Sequence, residues 1–247
     1  MTRVIALLAA AAFLLGCQQA PADAQLTEPE RDEVRELVRE YILSNPEIIE
    51  EALIELQRRA RDREMRSFYT AIEANHDAIY GDPRDARIGP DDADIIIVEF
   101  VDYKCSYCRI AAEWLDSATE RYGDRVQIIF KEYPVLGSDS IEAARAALAA
   151  LRQGEDVYRA FHHEMITASG PLPSRRIDSL AQMAGVDVAQ MREDMRDPAL
   201  MAQIGEVRTL GQVMGVTGTP FFIVDGRVIP GANELGLEQA LQAALAG

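Results

Sequence analysis

Two cysteines separated by two residues, Cys105-Ser106-Tyr107-Cys108, carry the strongest chemical signal in the chain. On a helix, thiols three positions apart lie about one turn from each other. A cysteine at a helix amino terminus faces unpaired N–H groups and the positive end of the dipole, which favour its anion. The thiolate is the form that attacks a substrate disulfide. Cys105 is therefore expected as the nucleophile and Cys108 as the resolving thiol that attacks the mixed disulfide. The competing use of C-x-x-C, a structural zinc site, needs two further Cys or His ligands. The other cysteine is Cys17 and the histidines are His76, His162 and His163, so no metal is expected. His162-His163-Glu164 does not change this: neighbouring helical residues point about 100° apart, and Tyr158, Phe161 and Met165 around them read as core.

Thiols become useful only when elements hold them, and the flanking pattern supplies those elements. Residues 95–100 form a β-branched apolar run, the mark of a buried strand. Glu99 interrupts it with a carboxylate six residues before Cys105. A buried carboxylate there can shuttle protons during exchange; the alternative is an outward-facing strand residue. Residues 109–122 place Ile110, Ala111, Trp114 and Leu115 on one helical face, and residues 126–133 read as a second strand. The cysteines thus fall at a strand–helix junction. Downstream, Gly215-Val216-Thr217-Gly218-Thr219-Pro220-Phe221-Phe222-Ile223-Val224 is a Gly-rich turn leading into an apolar strand. A proline at that entry can be cis or trans. Asp225-Gly226 signals a hairpin, followed by a closing strand (227–231) and a final helix (237–245). Residues 138–214 hold five helix candidates.

Ile96-Ile97-Val98-Glu99-Phe100-Val101-Asp102-Tyr103 leading into C-x-x-C resembles the DsbA-like branch of the thioredoxin superfamily, whose members have a glutamate at the Glu99 position. Tyr133-Pro134-Val135-Leu136-Gly137-Ser138, followed by an Ala-rich helix, is similar as well. The resemblance covers residues 88–247. It implies an α/β thioredoxin fold with a helical insertion at about 138–214. It also implies a cis Pro220 facing the cysteine pair, with Thr219, Pro220, Ser106 and Tyr107 contacting the substrate chain, and no cofactor.

Residues 27–80 read as a helical extension before that domain. Val34, Leu37, Val38, Tyr41 and Ile42 recur at helical spacing. Asn45-Pro46 marks a break and restart, and Ile48, Ile49, Ala52, Leu53 and Leu56 form a second stripe. The segment is too small to hold a core alone. It must pack on the following domain or on another subunit. Tyr41-Ile42-Leu43-Ser44-Asn45-Pro46-Glu47 resembles the extension of ScsC-like members, where it serves oligomerisation, which implies a homo-oligomer through residues 27–66. The Ser-Tyr dipeptide between the cysteines and Thr219 before Pro220 are similar to isomerase and ScsC-like members. They imply a disulfide isomerase or reductase acting on unfolded or misoxidised exported proteins and reset by a membrane redox partner. A dithiol oxidase of the same fold is the alternative. A copper(I)-handling lipoprotein is the alternative from another class, since thiols and Met suit a soft metal.

The amino terminus is an address. Residues 1–16 combine Arg3 with an apolar run too short to span a bilayer, which takes about 20 residues, and read as a signal peptide. Leu14-Leu15-Gly16-Cys17 resembles a lipoprotein box, with Cys17 as the lipidated residue. Ala22-Asp23-Ala24 is a competing cleavage site. Residues 17–26 read as a tether. Either cleavage implies export to the periplasm or cell envelope, lipid-anchored through Cys17 in the first case. The formal charge of −16 argues against nucleic acid as a partner, because phosphate contacts need clustered Lys and Arg.

Overall fold

A computed structural model describes residues 26–246. The signal segment, Cys17 and all of the tether but its last residue lie outside the described residues. The chain divides into two compact units between Ala60 and Arg61.

In the first unit, α1 (Glu28–Ser44) opens where Thr27 donates its N–H and hydroxyl to the Glu30 carboxylate, at 2.7 and 2.8 Å. The Glu30 carboxylate thereby satisfies the Thr27 N–H at the helix start. Asn45 closes the helix rather than opening the next one: its side-chain amide donates to the Tyr41 carbonyl at 2.8 Å. A second helix, α2 (Glu47–Ala74), runs on into the second unit. Helix α1 buries none of its side chains, and Val34, Leu37, Val38 and Tyr41 stand exposed.

The second unit is built on a five-stranded sheet of order β1-β3-β2-β4-β5. Its strands are β1 (Ala86–Ile88), β2 (Ile95–Val101), β3 (Val126–Glu132), β4 (Phe221–Val224) and β5 (Arg227–Pro230). Strands β2 and β3 are parallel, and every other pairing is antiparallel. A parallel pair needs a long crossover; here helix α4 (Ser106–Tyr122) supplies it. The turn-rich stretch near 81–90 holds β1, a strand whose three residues are too few to show a period. Between β3 and β4 come five helices, α5 (Ser138–Leu151), α6 (Glu155–Thr167), α7 (Ser174–Met183), α8 (Val188–Asp194) and α9 (Pro198–Met214). A short α3 (His76–Tyr80) precedes the sheet and α10 (Glu234–Leu245) ends it. This is the α/β thioredoxin fold with a helical insertion.

Strand side chains alternate between faces, so the sheet divides the core in two. Ile95, Ile97, Val101, Ile128, Phe130 and Phe222 join the larger cluster with α4 and α5. Val98, Phe100, Ile129, Phe221 and Ile223 join a second cluster with Phe68, Ile72 and Ile79. The alternation assigns Glu99 and Glu132 to the first face and Lys131 to the second. Lys131 is buried, donates to the Ala78 carbonyl at 2.6 Å and pairs with buried Asp85.

Helix α9 approaches the sheet closely at Gly211. A β-carbon there would meet the buried Tyr133 ring at 2.5–2.9 Å. Overpacking of a filled core costs about 1–3 kcal/mol. Gly211→Ala is therefore expected to lower stability by about that amount in urea unfolding, and Gly205→Ala, which meets nothing within 4 Å, is expected to cause no such loss.

Candidate active site

Cys105 is the residue just before α4, in an extended conformation that lets Ser106 begin the helix. Its position is set by Asp102, whose carbonyl accepts the Cys105 N–H at 2.9 Å. The buried Asp102 carboxylate accepts N–H donors from two separate loops: Lys104 at 2.9 Å on one oxygen, Val135 at 2.8 Å and Leu136 at 3.0 Å on the other. One side chain thereby ties the loop that carries the cysteines to the loop that leaves β3.

The Cys105 sulfur lies 3.1 Å from the Thr219 carbonyl oxygen, and the Thr219–Pro220 peptide is cis. The segments 105–108 and 219–220 are therefore brought together across 114 positions of sequence. Both thiols are reduced in this structure. Ser106 is exposed, as is Tyr107, on the same first turn of α4.

The two thiols differ sharply. The Cys108 thiol first, then the Thr219 side chain and the backbone N–H groups of Cys108 and Tyr107, hold Cys105 down at about 5, against the effect of burial. Cys108 is fully enclosed, and burial, the neighbouring Cys105 and the charge of Glu99 push its thiol far up. At neutral pH the pair is one thiolate in front and one thiol behind.

Glu99 lies on the face of the sheet that packs against the cysteine pair. It is buried, and burial, Glu132 and Cys105 raise its carboxyl well above the usual range. Its Oε1 has no hydrogen-bond partner.

Sequence reasoning missed a second group. Glu132 is buried on the same face: Val101 pairs with Glu132 where Glu99 pairs with Phe130. Burial lifts Glu132 to about 8, although the Tyr103 hydroxyl works in the other direction. The Tyr103 and Tyr158 hydroxyls donate to Glu132, and both also reach His162. The alternation of β3 was a signal that could have placed Glu132 inward. His162 is buried and takes part in this cluster, while His163 is exposed beside Asp116 at 3.7 Å. Among the described residues no three His, Cys, Asp or Glu side chains gather as a metal site.

A C-x-x-C pair at the start of a helix, facing a cis proline across a thioredoxin sheet, defines the class of thiol–disulfide oxidoreductases. Residues 96–242 match the DSBA-like thioredoxin domain, and the chain belongs to that family. Residues 30–63 match the copper resistance protein ScsC N-terminal domain. Among solved structures, a linker-deletion mutant of Proteus mirabilis ScsC is similar at 29% identity and a TM-score of 0.68, over 91% of this chain and 99% of that one. A thioredoxin-like oxidoreductase from Silicibacter pomeroyi is similar at 34% identity and a TM-score of 0.65, over 70% of this chain and 99% of that one. Among curated proteins, the Na(+)/H(+) antiporter NhaA of Herminiimonas arsenicoxydans is 29% identical over 146 residues, which is 59% of this chain. The chain spans about a quarter of the length of the first curated relatives it matches.

Two outcomes are expected. Thiolate absorbance should report Cys105 titrating near 5. Because that value lies below the ordinary 9.0, the stabilisation of the reduced form is present above pH 9 and is lost as pH falls through about 5. Unfolding of reduced and oxidised protein, compared across that window, measures it. Asp102→Ala leaves three backbone donors without their carboxylate and should cost about 3 kcal/mol in urea unfolding, with Asp102→Asn costing less.

Proposed function

We propose that the chain catalyses thiol–disulfide exchange on exported proteins, as a disulfide isomerase or reductase. The observation that carries this reading is the placement of the pair: Cys105 at the head of α4 with its sulfur 3.1 Å from the Thr219 carbonyl, and Cys108 enclosed behind it. The Cys105 thiolate attacks one sulfur of a substrate disulfide and expels the other as a thiolate. Cys108 then attacks the mixed disulfide, or the substrate's own thiol displaces Cys105. The first outcome is net reduction and the second is isomerisation. Thr219 and Pro220 stand beside Cys105 and are read as the backbone platform for the substrate chain, with Ser106 and Tyr107 on its open side. Glu99 is read as the proton acceptor for Cys108.

The substrates in this reading are unfolded or misoxidised exported proteins, and a membrane redox partner returns the pair to the dithiol. The signal-like segment 1–16 supports export to the periplasm or envelope, with Cys17 as the lipid anchor. Among the described residues no helix is long and apolar enough to cross a membrane. The exposed stripe of α1 and the match of residues 30–63 support self-association through residues 27–66.

A second reading, dithiol oxidase, is favoured by the low titration of Cys105, because stabilising the thiolate stabilises the reduced form and makes the disulfide a better oxidant. The copper named in the matched amino-terminal domain supports a third use of the pair, capture of copper(I) by two thiolates.

Equilibration with glutathione buffers, read by alkylation, separates these readings. A labile disulfide, near about −120 mV, combined with reactivation of a scrambled substrate by reduced protein, is the result expected for an isomerase. A potential near about −270 mV assigns a reductase. Rapid oxidation of a reduced substrate without reactivation of a scrambled one assigns an oxidase. Failure to form a Cys105–Cys108 disulfide at any buffer ratio overturns exchange and leaves metal capture.

A further inference from the structure

Four buried polar side chains behind the cysteine pair form a connected chain. Glu132 Oε1 accepts from the Tyr103 hydroxyl at 3.0 Å and the Tyr158 hydroxyl at 3.4 Å. Both hydroxyls also reach His162 Nδ1, at 2.9 and 3.4 Å. The chain has two open ends. At one, Glu132 Oε2 is buried without a partner, on the same sheet face as the equally unpartnered Glu99 Oε1. At the other, His162 lines a cavity of about 550 Å³ between α4, α6 and β3, whose rim carries the exposed Arg159 and His163.

Buried polar atoms are nearly always paired, and an apolar pair of residues would fill this face without desolvation cost. Two orphan carboxylate oxygens on the sheet face that packs against the cysteine pair call for a use. The hydrogen-bond chemistry of the chain supplies one, because each hydroxyl has a single proton to give. When Glu132 is ionised, Tyr103 donates to it and accepts from His162 Nδ1–H, so His162 Nε2 carries the lone pair. When Glu132 is protonated, the order reverses: Glu132 donates to Tyr103, Tyr103 donates to His162 Nδ1, and Nε2 carries the proton. A change at Glu132 is thus repeated at the far edge of the imidazole ring.

We propose that Glu132, Tyr103 and His162 form a proton relay that joins the cavity to Glu99 and the resolving thiol. The relay rests on the exchange reading. In the resolving step the Cys108 sulfur bonds to the Cys105 sulfur, the mixed disulfide breaks, and the substrate leaves with the electron pair as a thiolate. The Glu132 proton leaves through Tyr103 and His162 into the cavity, Glu99 passes its proton to Glu132, and Glu99 then takes the proton of Cys108. Reduction of the disulfide runs the path inward. The groups facing Glu132 are Tyr103 and Asp102 from the loop after β2, Tyr158 and His162 from α6, and Glu99 from β2, with Asp85 adding its charge from a greater distance. His162 is held down at about 3 by burial and by His163, so it stays neutral and carries the proton by exchanging tautomers.

The test is single-turnover resolution of a mixed disulfide on Cys105, followed against pH in the full chain carrying Cys17→Ser. His162→Ala should slow resolution roughly 10- to 100-fold, at or below the low end of a proton-transfer contribution, and added imidazole should restore it through the cavity. Tyr103→Phe, which keeps the ring and loses only the hydroxyl, should slow the step to a similar extent without rescue. In both variants the titration of Cys105 near 5 should stay in place. Resolution at the wild-type rate in both variants, or a slow His162→Ala that imidazole leaves slow, overturns the relay. A slow Glu99→Gln alongside fast His162→Ala and Tyr103→Phe overturns the relay alone and leaves exchange standing. An unaltered chain that never resolves a mixed disulfide removes the exchange reading and the relay together.

Discussion

The site depends first on where helix α4 begins, and the Asp102 carboxylate decides that. It accepts N–H groups from the loop before the helix and from the loop after β3, so the two loops cannot separate without stranding buried donors. The Asp102 carbonyl then holds the Cys105 N–H. With that position fixed, the first turn of α4 presents its unpaired donors to one sulfur and encloses the other. A helix starting one residue later would turn Cys105 away from Thr219 and lose both effects.

From that start the chemistry of the pair follows as a contrast in solvation. The front thiol gains hydrogen bonds to its anion that outweigh partial burial; the rear thiol gains burial and a carboxylate neighbour. The same enclosure raises the carboxyls of Glu99 and Glu132 toward their protonated forms, where free carboxylates would be charged. The interior behind the cysteines is thus a store of neutral, proton-holding groups. Had either glutamate been paired with a buried cation, it would stay ionised and hold no proton to pass along. Lys131, the nearest candidate in sequence, is on the other face of the sheet, engaged with Asp85.

The first unit follows a different economy. Apolar side chains lie along helix α1, and the helix buries none of them. Apolar surface of this kind is stable in water only at a cost, which association with like surface offsets. The match to an ScsC amino-terminal domain falls on this stretch. The second unit, by contrast, has its own core and carries the cysteine pair.

Much of the site was legible in the sequence because it is local. Strand, C-x-x-C and helix follow one another directly, and period-2 and period-3.6 patterns place Glu99, Cys105 and Cys108 with no knowledge of the rest. Thr219 and Pro220 stood out through the Gly-rich turn and hairpin around them. The three-residue strand β1 hid in a turn-rich stretch, since it is made by pairing with β3 rather than by its own composition. Asn45 before Pro46 reads as the cap of the second helix, whereas the bond to the Tyr41 carbonyl makes it the close of the first. The proton-holding cluster was not legible. Tyr103 and His162 are 59 positions apart, Tyr103 and Glu132 are 29 apart, and each sits in a segment whose own pattern is satisfied by packing. Sequence by itself determined which residues could do the chemistry, because local backbone preferences and side-chain types are written there. The tertiary structure alone decided which polar groups lose their water together, because that depends on which distant segments cover one another, and it is the shared loss of water that shifts the acids and sets the path of the proton.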